Sequence, residues 1–131
     1  TKTWNWITVL PAITIGSLCV GVLNLNNLRD VVSDKKHGKN TLVVKMGFSR
    51  GKTYHLVLIL LAFMSMLWYT GIEKIPLLDA WYLLAFVPIL VHLAKVMRTK
   101  EPVKLDGELK KLALSTFLLS LLFLIAVNYF L

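Results

Sequence analysis

The chain has 131 residues, 56% of them hydrophobic, and a formal net charge of +8, with a mean hydropathy of +0.67. A soluble domain of this size has no use for so much apolar surface, which excludes the ordinary globular enzymes. Nucleic-acid binding is excluded by where the charge lies: of 15 basic residues, seven fall between Arg29 and Lys52 and six between Lys95 and Lys111.

Four apolar runs are long enough to cross a bilayer as helices, Trp6–Leu25, Tyr54–Thr70, Leu77–Met97 and Leu112–Leu131. Helices are the expected form because every backbone polar group inside lipid must pair internally. The fold class read from the sequence is therefore all-α, a polytopic transmembrane helix bundle.

The first run carries Ala12/Gly16 and Ser17/Gly21 at the four-residue spacing that lets helices approach closely, and so reads as buried in a bundle. Pro11 is expected to kink it. Cys19 lies within it as a small buried hydrophobe. No basic leader or small-residue cleavage site marks it as a signal peptide. The chain opens on Thr1 rather than methionine, which reads as a fragment or a processed piece.

Directly after this run stand Asn24, Asn26, Asn27, Arg29, Asp30, Asp34, Lys35, Lys36, His37, Gly38 and Lys39. If the helix continues, Asn26, Asp30 and Asp34 step by only ~40° around the axis and roughly 6 Å along it, forming one polar stripe. Two carboxylates on one face followed by lysines can hold Mg²⁺ together with a polyphosphate, since Mg²⁺ takes one or two carboxylates and completes its shell with water and phosphate oxygens. Arg29, Lys35 and Lys39 would neutralise the remaining phosphate charge. Asn26 could orient a metal-bound water or the diphosphate, whereas Asn27, ~100° away, could face a neighbouring helix. A charged run at a helix end is more often a solvated loop. The composite Asn-x-x-x-Asp-x-x-x-Asp and Asp-Lys-x-x-Gly-Lys-x-Thr-Leu on an apolar helix is more specific than either half.

The inner segment 26–52 is punctuated by Gly38, Gly47 and Gly51, and Thr41–Met46 reads as a brief interfacial helix or a cap. A compact turn, Gly71–Pro76, joins the second and third runs. Pro88 is expected to bend the third run midway, and Arg98–Lys111 reads as a second inner loop. His37 reads as a solvated loop residue, and His55 and His92 as hydrated groups near the inner boundary. Lys95 is expected to snorkel. Met64, Met66 and Met97 read as packing residues, and the Leu/Phe-rich fourth run as lipid-facing.

The two basic loops flank alternate helix ends, so both fall on one side, which the positive-inside rule makes cytoplasmic. Trp4, Trp6, Trp68, Tyr69, Trp81, Tyr82 and Tyr129 map to the opposite side as an aromatic belt. Both signals place the chain ends outside and the Asp-bearing segment inside.

Asn26-Asn27-Leu28-Arg29-Asp30, followed by Asp34-Lys35 and Gly38-Lys39-Asn40-Thr41-Leu42, resembles the second aspartate-rich motif of the UbiA superfamily of intramembrane aromatic prenyltransferases. The pattern is most similar to the subgroup that prenylates 1,4-dihydroxy-2-naphthoate in menaquinone synthesis. Leu109–Thr116 has the same flavour. The resemblance covers essentially the whole chain, but only the C-terminal part of an architecture of about nine helices and two aspartate-rich motifs. It implies that Asp30 and Asp34 bind Mg²⁺ and are catalytic, and that Asn26, Asn27, Arg29, Lys35 and Lys39 contact the diphosphate. The implied partners are a polyprenyl diphosphate, a dihydroxynaphthoate acceptor, the lipid of a bacterial inner membrane, and the absent N-terminal half of the same protein. Without that half's motif the chain alone is expected to be inactive. Two alternatives stand beside this: another aromatic acceptor such as 4-hydroxybenzoate, haem or a chlorophyll precursor, or a small four-helix transporter. The transporter would want an acidic residue inside a span, and the sequence reading finds none there.

Overall fold

In the computed structural model, residues 5–130 are described, the side chain of the last excepted. Trp4, which was assigned to the aromatic belt, and Leu131, the end of the fourth run, lie outside the described residues.

The elements are all helical. A 3-10 turn, Trp6–Thr8, leads into α1 (Val9–Lys36); α2 (Leu42–Met46) and α3 (Phe48–Ile72) follow. A second 3-10 turn, Trp81–Ala85, leads into α4 (Phe86–Arg98), and a third, Pro102–Leu105, into α5 (Asp106–Phe130). Four helical segments are long and apolar enough to cross a membrane, Trp6–Lys36, Phe48–Ile72, Trp81–Arg98 and Pro102–Tyr129.

The boundaries differ from the sequence reading in ways that helix physics explains. Residues 26–36 are not loop, because α1 runs on to Lys36. Its 28 residues span about 42 Å, against about 30 Å of hydrocarbon. The last turns therefore extend past the apolar run, and these are the turns that carry the polar stripe. The second half of the expected loop Arg98–Lys111 is likewise helix, because Asp106 and Glu108 supply the acidic first turn of α5.

Both prolines stand near helix starts rather than midway along a helix. Pro11 and Pro88 each sit third in α1 and α4, just after a 3-10 turn. There the missing N–H removes no intrahelical bond.

α1 and α3 form the central antiparallel pair. Thr14 Oγ1 donates to the Ala62 carbonyl at 3.0 Å, and Asn24 Nδ2 to the Gly51 carbonyl at 3.0 Å. At Gly21 an added Cβ would lie 3.6 Å from Ile59 Cδ1 and 3.7 Å from Leu112 Cδ2, so α5 packs on the same stripe. Ser17 and Gly21 are buried as the small-residue spacing predicts. Ala12, Gly16 and Cys19 are exposed instead, on the opposite face of α1.

The two ends of the bundle differ in chemistry. At one end Tyr69 and Tyr82 each make an edge contact with Phe123, and Tyr82 Oη lies 2.8 Å from Thr70 Oγ1. These two tyrosines are buried core rather than belt residues. Trp6, Trp68 and Tyr129 are exposed at that end and remain available to an interface. At the other end Arg29 of α1 meets Asp106 of α5, and Lys52 of α3 donates to the Met97 and Thr99 carbonyls that finish α4.

The tightest contact lies at Gly51. A Cβ there would come within 2.9 Å of Leu28 Cδ2 and 3.1 Å of Val43 Cγ1. Gly51→Val is expected to destabilise the bundle by about 1–3 kcal/mol, read as a lowered thermal unfolding midpoint in detergent.

Candidate active site at the polar end of the first helix

The end of α1 is shaped by its C-cap. Gly38, at φ +71, occupies the left-handed position that glycine tolerates best. The Gly38 N–H donates to the Lys35 carbonyl at 3.3 Å and the Lys39 N–H to the Asp34 carbonyl at 2.9 Å, a Schellman closure. That reversal carries Lys39 back over the last turn, where its Nζ stands 3.1 Å from Asp34 Oδ1. Asp34 is buried, although its bearing on α1 is close to that of exposed Gly16 and Leu23. Thr41 then caps α2, its Oγ1 accepting from the Val44 N–H at 3.2 Å.

Asp30 is held by a different cation. Arg29 Nε donates to Asp30 Oδ1 at 2.7 Å and Nη2 to Oδ2 at 2.9 Å, a bidentate pair. The same guanidinium donates to Asn26 Oδ1 at 2.9 Å and to Asp106 Oδ1 at 3.1 Å. Arg29, Asp30, Lys36, His37 and Asp106 border a cavity of about 550 Å³ between the end of α1 and the 3-10 turn before α5.

The predicted site residues thus divide into groups. Asn26, Arg29 and Asp30 share one hydrogen-bonded cluster beside that cavity. Asp34 and Lys39 form a second pair at the cap. Lys35 is exposed in the last turn of α1. Asn27 turns away from both, towards a smaller cleft shared with Asn24 and Tyr54, as its offset around the helix suggested. His37 is exposed, as read, with Nδ1 2.8 Å from the Ser33 carbonyl.

Asp106 and Lys36 were missed as neighbours of the site. The signal for Asp106 was its place in the first turn of a helix whose start was read as loop.

Behind the site lies a buried polar chain that the sequence reading did not foresee. His55 Nε2 is 3.1 Å from His92 Nε2, and His92 Nδ1 is 2.9 Å from Glu108 Oε2. Glu108 Oε1 accepts from Lys95 at 2.7 Å and Lys111 at 2.9 Å. Both histidines and Glu108 are buried, not hydrated. The Lys95 ammonium ends on Glu108 instead of in water alone. Glu108 lies one turn before the apolar run Leu112–Leu131, in the first turn of α5. Both of its oxygens are engaged by α4 and α5, which makes it a cross-brace.

Among the described residues no three histidine, cysteine or acidic side chains gather as a metal-ligand cluster. Asp30 and Asp34 are the only carboxylates on the stripe. Two carboxylates one turn apart, beside basic side chains, fit a hard divalent cation that fills its shell with water and phosphate oxygens.

The sequence matches the UbiA prenyltransferase family over residues 1–117. It is 36% identical over 120 residues to the 1,4-dihydroxy-2-naphthoate octaprenyltransferase of Escherichia coli (strain K12), an alignment covering 91% of this chain and 39% of that protein. The enzyme of the same description from Haemophilus influenzae is 35% identical over 115 residues, 88% of this chain and 37% of that protein. The chain therefore spans under two-fifths of the length of these relatives. No solved structure matches it.

Removing Glu108 while leaving its partners is expected to be destabilising. Glu108→Leu leaves the buried His92 Nδ1 without its partner and should cost about 1–3 kcal/mol, since Lys95 and Lys111 are more than half exposed and solvated. Asp106→Asn, at an exposed ion pair, should cost at most about 1 kcal/mol. Unfolding midpoints of the two variants compared in one detergent test the difference.

Proposed function

Since the chain belongs to the UbiA prenyltransferase family, we propose that it supplies the second aspartate-rich half of an enzyme transferring a polyprenyl group from its diphosphate to 1,4-dihydroxy-2-naphthoate in menaquinone synthesis. The observation that carries this reading is the pair Asp30 and Asp34, one turn apart beyond the apolar run of α1, each already facing a cation of its own chain.

In this reading Asp30 and Asp34 hold a divalent cation, Mg²⁺ by preference for carboxylate and phosphate oxygens. When bound, the ion neutralises charge that builds on the departing diphosphate. Arg29 and Lys39, which now neutralise the two carboxylates, exchange those partners for phosphate oxygens as the complex forms. Lys35 adds a third positive charge from the exposed side of the last turn, and Asn26 keeps Arg29 oriented through Oδ1. Once seated on the phosphate oxygens, these donors would stabilise the leaving group as the C–O bond breaks. The electron-rich ring carbon of the acceptor captures the allylic cation, and the acceptor carboxylate leaves as carbon dioxide.

The prenyl tail is apolar and needs the bilayer. The exposed aliphatic side chains of α1 and α3, Leu23 and Leu60 among them, are where it would lie. The basic end of the bundle faces the cytoplasm of a bacterial inner membrane, by the charge asymmetry of its loops. The partner motif comes from a further part of the protein, consistent with the share of the relatives that this chain spans.

The test uses membranes containing the full-length protein, labelled prenyl diphosphate, and either 1,4-dihydroxy-2-naphthoate or 4-hydroxybenzoate. Mg²⁺-dependent product from the naphthoate alone is expected, and chelation of the metal should abolish it. Asp30→Asn and Asp34→Asn should each lower turnover by about 10²-fold or more. Full activity in both variants removes these residues from the mechanism, and product from 4-hydroxybenzoate alone changes the acceptor.

A further inference from the structure

α1, α2 and the first turns of α3 enclose a cleft of about 110 Å³, separate from the cavity beside Asp30. Val20, Leu23 and Leu42 form its apolar walls, and Asn24, Asn27 and Tyr54 are the polar side chains that line it. Asn24 is 3% exposed. Its Nδ2 is used on the Gly51 carbonyl, but its buried Oδ1 has no partner. A carbonyl oxygen left unpaired away from water costs about 1–3 kcal/mol, so a hydrogen-bond donor is wanted there. The Asn27 amide and the Tyr54 hydroxyl also have no hydrogen-bond partner among the described residues. One buried unpaired carbonyl and two half-buried polar side chains around one small apolar cleft fit a site for a specific hydroxyl.

The lining contains no charged side chain, which argues against a phosphate. The volume equals only three or four waters at about 30 Å³ each, so a bicyclic ring can insert one edge and no more. The position relative to the acid pair is set by α1 itself. Asn27 and Asp34 differ by seven residues, ~20° in bearing and roughly 10 Å along the axis. Asp30 lies between them, one turn from Asn27.

We propose that this cleft receives the hydroxyl-bearing edge of the aromatic acceptor, the ring hydroxyl meeting Asn27 and Tyr54 beside the buried Asn24 amide. The inference rests on the prenyl-transfer reading. It adds two residues that select a hydroxylated ring and removes Asn27 from the diphosphate contacts. A site built to bond a substrate hydroxyl discriminates strongly against the analogue that lacks it.

The test is steady-state kinetics of the full-length enzyme with 1,4-dihydroxy-2-naphthoate and with its 4-O-methyl ether. Wild type, Tyr54→Phe and Asn27→Ala are compared, with unfolding midpoints checked in detergent. Asn24 is left in place because it also tethers α3. Each variant should raise KM for the acceptor by about fivefold to tenfold and leave KM for prenyl diphosphate unchanged. Each should also shrink the wild-type preference for the free hydroxyl over the ether. If acceptor KM and that preference stay put in both variants, or if the diphosphate KM moves instead, the cleft holds water or packing only and the proposal falls. Should Asn27→Ala fail to fold, the conservative Tyr54→Phe decides alone. A wild-type enzyme that prenylates no hydroxylated aromatic sinks the transfer reading, and this inference with it. Wild-type transfer with unmoved variants sinks this inference alone.

Discussion

The close crossing of α1 and α3 at Gly51 is the constraint from which the polar end of the molecule follows. Leu28 of α1 and Val43 of α2 both press on the space a side chain would fill at residue 51. The Gly51 carbonyl, buried beside them, also accepts from Asn24. No water competes for that buried bond, so an amide placed here fixes the register of the two helices. With α1 and α3 locked here, α2 is held in the angle between them, and the cleft lined by Asn24, Asn27 and Tyr54 is the space left over. Substituting glycine would separate the helices and dissolve the cleft along with the contact.

A second brace acts from the far side. Glu108 ties α4 to α5 through His92 and Lys95 while capping charge from Lys111. Two residues earlier on the same turn, Asp106 reaches Arg29. The position of Arg29, and through it Asp30, thus depends on where α5 begins. Buried ion networks are seldom the strongest way to stabilise a protein, but leaving one incomplete is expensive. The network here gives the loose ends of α4 and α5 one geometry.

The acid pair shows how a site can be kept charged next to a membrane before its ligands arrive. Asp30 and Asp34 are each neutralised by a neighbour in sequence, Arg29 by reaching around the helix and Lys39 by the chain reversal at Gly38. In the proposed prenyl-transfer reading those cations would exchange carboxylate for diphosphate oxygens with little change in total charge.

Much of this was legible in the sequence because it depends on periodicity and local chemistry. Runs of about 20 apolar residues give the spans, and four-residue steps put Asn26, Asp30 and Asp34 on adjacent bearings of any α-helix. The Asp34-x-x-x-Gly38-Lys39 spacing is a helix cap that returns a lysine to an aspartate, and needs no distant contact. The family resemblance read from the same motif agrees with the UbiA match over residues 1–117. Tertiary structure alone decided what depends on residues far apart in the chain. That His55 and His92 are buried, that Glu108 lies between two helices, that Tyr69 and Tyr82 turn inward, and that Asn24 ends on Gly51 all require knowing which helix face meets which neighbour. Spacing along one helix fixes a bearing but not what stands opposite it. For that reason Cys19 and Gly16 could be read as buried and prove exposed, while Asp34, on nearly the bearing of Gly16, proves buried.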